Sequence, residues 1–426
     1  MRYAIGVLLA LFALNWIPRE ASAQVTVEGD FRLRWYSDRF SEAMDNRGDE
    51  NYLRYLGRLR ARAPINTKAH FYTELITWTQ NNPTSPVRNI AGTGVTQYGI
   101  SQIFAELVQP DLLVFDLVRV RVGRQQFPIG KGLSQGESYY FFDKFDGARL
   151  DLAYGDNTLS LFGAITGQNV SESGLYPDPG SDQIYIARLA RPVMGENLMA
   201  YYIYNKLRGD FNDSYIYGFG INGQHMKNRL EYAFEIAQQE FNNLGGLPDK
   251  GGVGYMGNIS YRFPLGALRS VKVETRYAAY QGDDADTPDQ QEMFSPLYPS
   301  WFWGGRRGYA NGAIGGDYPW NDRNPEGTRV WYTRFYFIPR ALPALRVQFQ
   351  YLDIGEWVDN DNYNSMDDEY AISCYYRLAP QVQMQLRFVQ SLPNDDDRDA
   401  NDSGGLSWSE DRVKITRFMT ELSVNF

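Results

Sequence analysis

From Val25 to Tyr36 the chain alternates without a break. Val25, Val27, Gly29, Phe31, Leu33 and Trp35 fall on one face; Thr26, Glu28, Asp30, Arg32, Arg34 and Tyr36 fall on the other. A period of two over this length predicts a β-strand with one apolar and one charged face. The rhythm returns at 51–63, where Leu53, Tyr55, Leu59 and Ala61 oppose Arg54, Arg58, Arg60 and Arg62. At 114–122, Val118, Val120 and Val122 oppose Arg119 and Arg121. At 268–280, Val271, Val273 and Tyr277 oppose Lys272, Glu274 and Arg276. At 344–352, Leu345, Val347 and Phe349 oppose Arg346, Gln348 and Gln350. The last strand sets Phe418, Leu422, Val424 and Phe426 against Arg417, Glu421 and Asn425.

Followed along the whole chain, the pattern predicts eighteen strands. Their spans are 25–36, 51–63, 68–80, 98–108, 114–122, 146–154, 158–166, 183–191, 198–205, 214–223, 229–239, 254–263, 269–280, 328–338, 344–352, 369–378, 381–390 and 413–426. The connections alternate as well. Gaps after odd strands are long, as at 81–97, 123–145 and 281–327; gaps after even strands are short, as at 64–67, 155–157 and 379–380. Pro64, Pro110, Pro192, Pro264, Pro339, Pro343 and Pro380 fall in the short ones, and Gly155-Asp156-Asn157 is a tight-turn sequence. A sandwich or propeller gives no reason to gather every long loop at one end. A transmembrane antiparallel β-barrel does, with short periplasmic turns and long extracellular loops.

The start of the chain agrees. Arg2 precedes an apolar run from Ile5 to Ile17, then Pro18 and Ala21-Ser22-Ala23. This reads as a secretory signal peptide over residues 1–23, followed by a single barrel domain over 24–426. Past residue 23 no stretch is apolar enough for a membrane helix, so a membrane-resident chain must close a sheet. The expected address is the cell outer membrane of a Gram-negative bacterium, with lipid and lipopolysaccharide as neighbours. The terminal Phe426 resembles the end signal of such barrels. Trp35, Tyr36, Trp78, Trp331 and Phe337 are expected in the interfacial aromatic girdles.

Composition then narrows the function. Of 426 residues, 43% are hydrophobic and 15% aromatic, with 31 Tyr, and this excludes a disordered chain. The mean hydropathy of −0.46 fits a barrel that averages lipid-facing rows with wet ones. A net charge of −9 speaks against nucleic acid. One Cys, Cys374, excludes a disulfide scaffold.

The charge is unevenly spread. Residues 281–292, 353–369 and 394–412 are strongly acidic and fall in long loops. Together they exceed the net charge of the whole chain, so the remainder is basic. Much of that excess lies on the expected lumen faces: Arg32, Arg34, Arg54, Arg58, Arg60, Arg62, Arg119, Arg121, Lys272, Arg276, Arg346, Arg387 and Arg417. Arg149 and the loop cations Arg124 and Lys131 complete the candidate set. Eighteen strands enclose an aqueous lumen. Fixed positive charge there concentrates anions, and guanidinium forks hold carboxylates. The expectation is a channel for small anions or an anionic polysaccharide. In the competing reading, a porin for small nutrients or ions, the arginines simply balance Glu28, Asp30, Glu74, Glu106, Asp151, Glu231, Glu235 and Glu274. A third reading is a structural barrel sheathing a partner protein.

Gly123-Arg124-Gln125-Gln126-Phe127-Pro128-Ile129-Gly130, followed by Phe145-Asp146-Gly147-Ala148-Arg149-Leu150, resembles the alginate export family of outer-membrane porins. Phe294-Ser295-Pro296-Leu297-Tyr298-Pro299 resembles another segment of that family. The resemblance implies an 18-stranded barrel with an Arg-lined lumen that passes an alginate-like exopolysaccharide outward, helped by a periplasmic export partner. The 123–145 loop also carries Tyr139, Tyr140, Phe141 and Phe142. Folded inward it narrows the pore; folded outward it is a surface loop.

Catalysis has little foothold. The two His, His70 and His225, both fall toward the periplasmic end. Gly218-Phe219-Gly220-Ile221-Asn222-Gly223 matches a dinucleotide pattern only formally, since no helix follows it. No enzyme activity, cofactor or metal is expected.

Overall fold

The computed structural model describes residues 24–40, 50–81, 97–130, 133, 144–166, 182–206, 213–241, 250–263, 265–266, 268–281, 328–356, 368–392 and 415–426. The expected signal peptide and most of the three acidic segments lie outside these residues, though Asp353, Glu356, Asp368 and Glu369 are described; Lys131, Tyr139 to Phe142 and Phe294 to Pro299 lie outside as well.

The alternating segments form eighteen strands: β1 (Thr26–Phe40), β2 (Glu50–Pro64), β3 (Ala69–Asn81), β4 (Gln97–Leu112), β5 (Phe115–Gln126), β6 (Lys144–Tyr154), β7 (Asn157–Thr166), β8 (Asp182–Val193), β9 (Glu196–Lys206), β10 (Ser214–His225), β11 (Leu230–Phe241), β12 (Lys250–Phe263), β13 (Leu268–Tyr280), β14 (Thr328–Pro339), β15 (Leu345–Glu356), β16 (Asp368–Ala379), β17 (Val382–Leu392) and β18 (Ile415–Asn425). Each pairs antiparallel with its sequence neighbours, and β1 also pairs with β18 from Asp30↔Asn425 to Phe40↔Ile415. The sheet therefore has no edge, as a backbone in hydrocarbon requires.

Every even strand hands over to the next through a short turn, and the long connections all follow odd strands. The turn between β8 and β9 is only Met194-Gly195, with φ of 53° and 88°. Both residues are left-handed, as a two-residue hairpin turn requires, but only the glycine adopts that region without strain.

The two faces separate cleanly. Val27, Phe31, Trp35, Leu59, Leu75, Phe234, Phe335, Phe388 and Phe418 all point outward and are exposed. Asp30, Glu74, Glu235, Glu274, Arg334, Arg387 and Arg417 occupy the opposite parity and are buried. One irregularity redirects a side chain: the β3–β4 register slips between Glu74 and Leu75, leaving Ser101 as an extra residue. Its hydroxyl donates to Glu74 Oε1 at 2.6 Å on the inner face.

Two expectations are corrected. Strand β5 does not stop at 122 but runs on to Gln126, because Gly123 to Gln126 still pair with Gly147 to Lys144. Tyr36 does not join the outer girdle. It is only 1% exposed, faces inward with Arg34, and lies under the guanidinium of Arg417 at 5.0 Å. Trp35 and Trp331 do sit in the exposed outer row, while the side chain of Trp78 lies outside the described residues.

Candidate lumen and constriction

Strand parity fixes which side chains meet the lumen. Arg32, Arg34, Arg58, Arg60, Arg62, Arg119, Arg121, Arg149, Lys272, Arg276, Arg346, Arg387 and Arg417 all lie on the inward face, as the alternation predicts. Arg54 holds the same parity, opposite Arg34 in register, though its side chain lies outside the described residues.

Most of these cations are held by carboxylates. Arg58 donates from Nε to Asp30 Oδ1 at 3.0 Å. Arg60 bridges two acids, Glu74 at 2.8 Å and Asp30 at 3.0 Å. Arg121 donates to Glu106 Oε2 at 2.6 Å, while Arg62 and Arg119 stand 3.9 Å from the same carboxyl group. Arg149 donates to Asp151 at 2.9 Å, and Arg34 pairs with Glu421. Across the barrel, Glu274 takes Arg276 at 2.6 Å and Lys272 at 3.3 Å. Arg387 stands 3.9 Å from Glu369. The closer of these charge-assisted contacts fix their forks against the wall, and the ones at 3.9 Å only offset the field.

Others rest on aromatic faces or amides. Arg346 lies 4.1 Å over the Tyr375 ring. Arg334 lies 4.3 Å over Tyr332 and donates to Gln350 Oε1 at 2.8 Å. Arg188 reaches Ser160 Oγ at 3.3 Å and the Phe127 ring at 5.6 Å. Cation–π contacts of this kind leave the positive charge less compensated than a carboxylate does. Arg188 and Arg334 are inward residues that sequence reasoning missed. Their strands carry apolar or aromatic residues on both faces, so the alternation that marks the other arginines is blurred.

Arg124 is the clear correction. Because β5 continues past 122, Arg124 takes the parity of Val122 and faces outward. It makes a two-pronged pair with Asp146, 2.9 Å at Nε and 2.8 Å at Nη2. It belongs to the outer wall near the extracellular end and does not line the lumen.

Beyond Gln126 the chain turns into the barrel. Phe127 is 1% exposed and Ile129 and Leu133 are 0% exposed, all in one apolar cluster with Phe145, Phe162, Ile184, Ile203 and Tyr201. Those partners are inward-facing, so the segment after β5 lies inside the barrel. The Phe127 ring stacks on Phe162 at 5.0 Å, and Arg149 caps it at 4.7 Å. Gly130, at φ 54°, sits so close to Glu235 and Met199 that a Cβ would collide with both. Of the two courses open to this loop from sequence, the inward one is found for residues 127–130 and 133. Burying three large apolar side chains here is worth roughly 1.5–3 kcal/mol each. The wall beneath it supplies the matching apolar side chains Phe162, Ile184, Ile186, Met199, Ile203 and Ile216.

No family model matches the chain, and no curated protein does. The solved structures it is similar to include several Pseudomonas aeruginosa proteins. OccK9 (OpdG) is 11% identical with a TM-score of 0.58, over 95% of this chain and 99% of that one. OccK11 (OpdR) is 12% identical with a TM-score of 0.54, over 94% and 96%. OprD is 11% identical with a TM-score of 0.51, over 96% and 98%. At this identity the likeness concerns the fold. The fold is the one shared with these proteins: a closed antiparallel barrel of eighteen strands, set in the Gram-negative outer membrane by its apolar outer face. The alginate export family that the motifs resemble is not supported by these comparisons.

Proposed function

We propose that the protein is a passive porin for small solutes with a mild preference for anions. The observation that carries this reading is the segment after β5. Phe127, Ile129 and Leu133 pin it to the inner wall, so it occupies part of the lumen and narrows the path. The charge supports the same conclusion. Basic groups outnumber carboxylates on the described inward face, which favours anions. Most of them are nonetheless paired, which leaves a modest net field.

An alginate-like polymer, the solute implied by the family resemblance, is the less favoured substrate. A polyanion needs a continuous track of available cations and a wide path. Here Arg58, Arg60 and Arg121 are committed to carboxylates, and the loop takes up space. No step needs a cofactor, an energy source or catalysis; a concentration gradient sets the direction of flow. Liposome swelling with solutes of increasing size tests the reading. Monosaccharide acids and other small anions enter, and uronic-acid oligomers enter far more slowly or are excluded. Equal entry of oligomers overturns the small-solute reading.

A further inference from the structure

We infer that the inner mouth of the lumen holds a binding site for a zwitterionic solute carrying a planar side group. The inference rests on the channel reading above and names a ligand class for one part of that path.

A cavity of about 410 Å³ opens beside the short 65–68 turn, lined among others by Glu28, Arg62, Tyr72 and Phe104. Most charges around it are already engaged. Arg60 is held by Glu74 and Asp30, and Glu106 is held by Arg121 at 2.6 Å. Two groups stand apart. Glu28 is exposed and forms no ion pair among the described residues. Arg62 keeps 56% of its side chain exposed and only skirts Glu106, at 3.9 Å. In register, Thr26 faces Arg62 and Glu28 faces Arg60, so Glu28 and Arg62 are diagonal neighbours on adjacent strands.

Such diagonal neighbours sit roughly 7–8 Å apart. That span admits a ligand whose ammonium and carboxylate share one carbon, the ammonium on Glu28 and the carboxylate on the Arg62 fork. A simple anion meets repulsion from Glu28, and a simple cation meets it from Arg62. Beside them the half-buried Tyr72 ring stacks on Phe104 at 4.8 Å, with Arg121 4.2 Å over Phe104. This rigid aromatic wall suits a planar side group.

The test uses the whole protein in planar bilayers, with tryptophan, N-acetyltryptophan and tryptophanamide added to each side in turn. Tryptophan is expected to block ion current from one side at a concentration about tenfold below either derivative, the scale of one charge-assisted hydrogen bond. Glu28→Gln should bring tryptophan to the level of N-acetyltryptophan, and Arg62→Gln to that of tryptophanamide. If N-acetyltryptophan blocks as well as tryptophan and Glu28→Gln changes nothing, the site takes plain anions and the inference is overturned. Conduction with no block by any of the three overturns it too, and leaves the channel reading standing. A protein that conducts no ions overturns the channel reading itself.

Discussion

Gly29 and Phe426 close the barrel by exchanging two backbone hydrogen bonds. Gly29 N–H donates to Phe426 O at 2.7 Å, and Phe426 N–H donates to Gly29 O at 2.9 Å. The Phe426 ring covers the space a Cβ on Gly29 would fill. The last residue therefore docks in a notch that only glycine leaves open, on the lipid-facing side of the β1–β18 seam. Gly29→Val should displace the ring and destabilise the barrel by about 1–3 kcal/mol, the usual range for overpacking. The midpoint of urea unfolding in lipid measures this. The same substitution should cost less in a Phe426→Ala background, which removes the ring contact and leaves only the clash with the backbone oxygen of Arg58.

Arg58, Arg60 and Arg62 form an inward row that neutralises Asp30 and Glu74 and approaches Glu106. Replacing all three with Gln removes three positive charges and the arginine contacts of Asp30 and Glu74, while Glu106 keeps Arg121. The chloride-over-potassium permeability ratio should fall on the order of several-fold, as fixed charge in a confined channel dictates. A reversal potential measured across a salt gradient reads this directly. An unchanged potential would mean these side chains do not face the ion path.

Arg124 supplies the contrast. Its pair with Asp146 lies on the outer wall, so Arg124→Gln should leave the reversal potential at the wild-type value. A shift as large as that of the inward row would return Arg124 to the lumen.

Met194 sits at φ 53° in the tight β8–β9 turn and is almost fully exposed. A left-handed conformation suits asparagine better than methionine. Met194→Asn should therefore stabilise the barrel by about 0.5–1 kcal/mol, visible as a higher unfolding midpoint.

Much of this architecture was legible in the sequence, for a physical reason. A barrel wall separates lipid from water residue by residue, so parity alone places Arg58, Arg60, Arg119, Lys272 and Arg417 inside. The alternation of long and short connections then gives the closed topology. Parity fails where both faces are apolar, which hid Arg188 and Arg334. It also fails where a strand end is misjudged: placing the end of β5 at 122 turned Arg124 into a loop residue. Pairing was legible only as a possibility of charge balance. Which acid holds which arginine depends on register, and the slip that turns Ser101 toward Glu74 leaves no mark in the residue pattern. The inward course of the segment after β5 was one of two open options. What decides it is the apolar inner sector made by Phe162, Ile184 and Ile203, strands apart in the chain.

The central claim is that this segment sets the width of the pore. Single-channel conductance of a Phe127→Asp, Ile129→Asp, Leu133→Asp variant tests it most directly. Charged side chains cannot stay against that apolar wall, so the segment should leave it and conductance should rise several-fold over the wild type. A correctly folded variant with wild-type conductance would contradict the account.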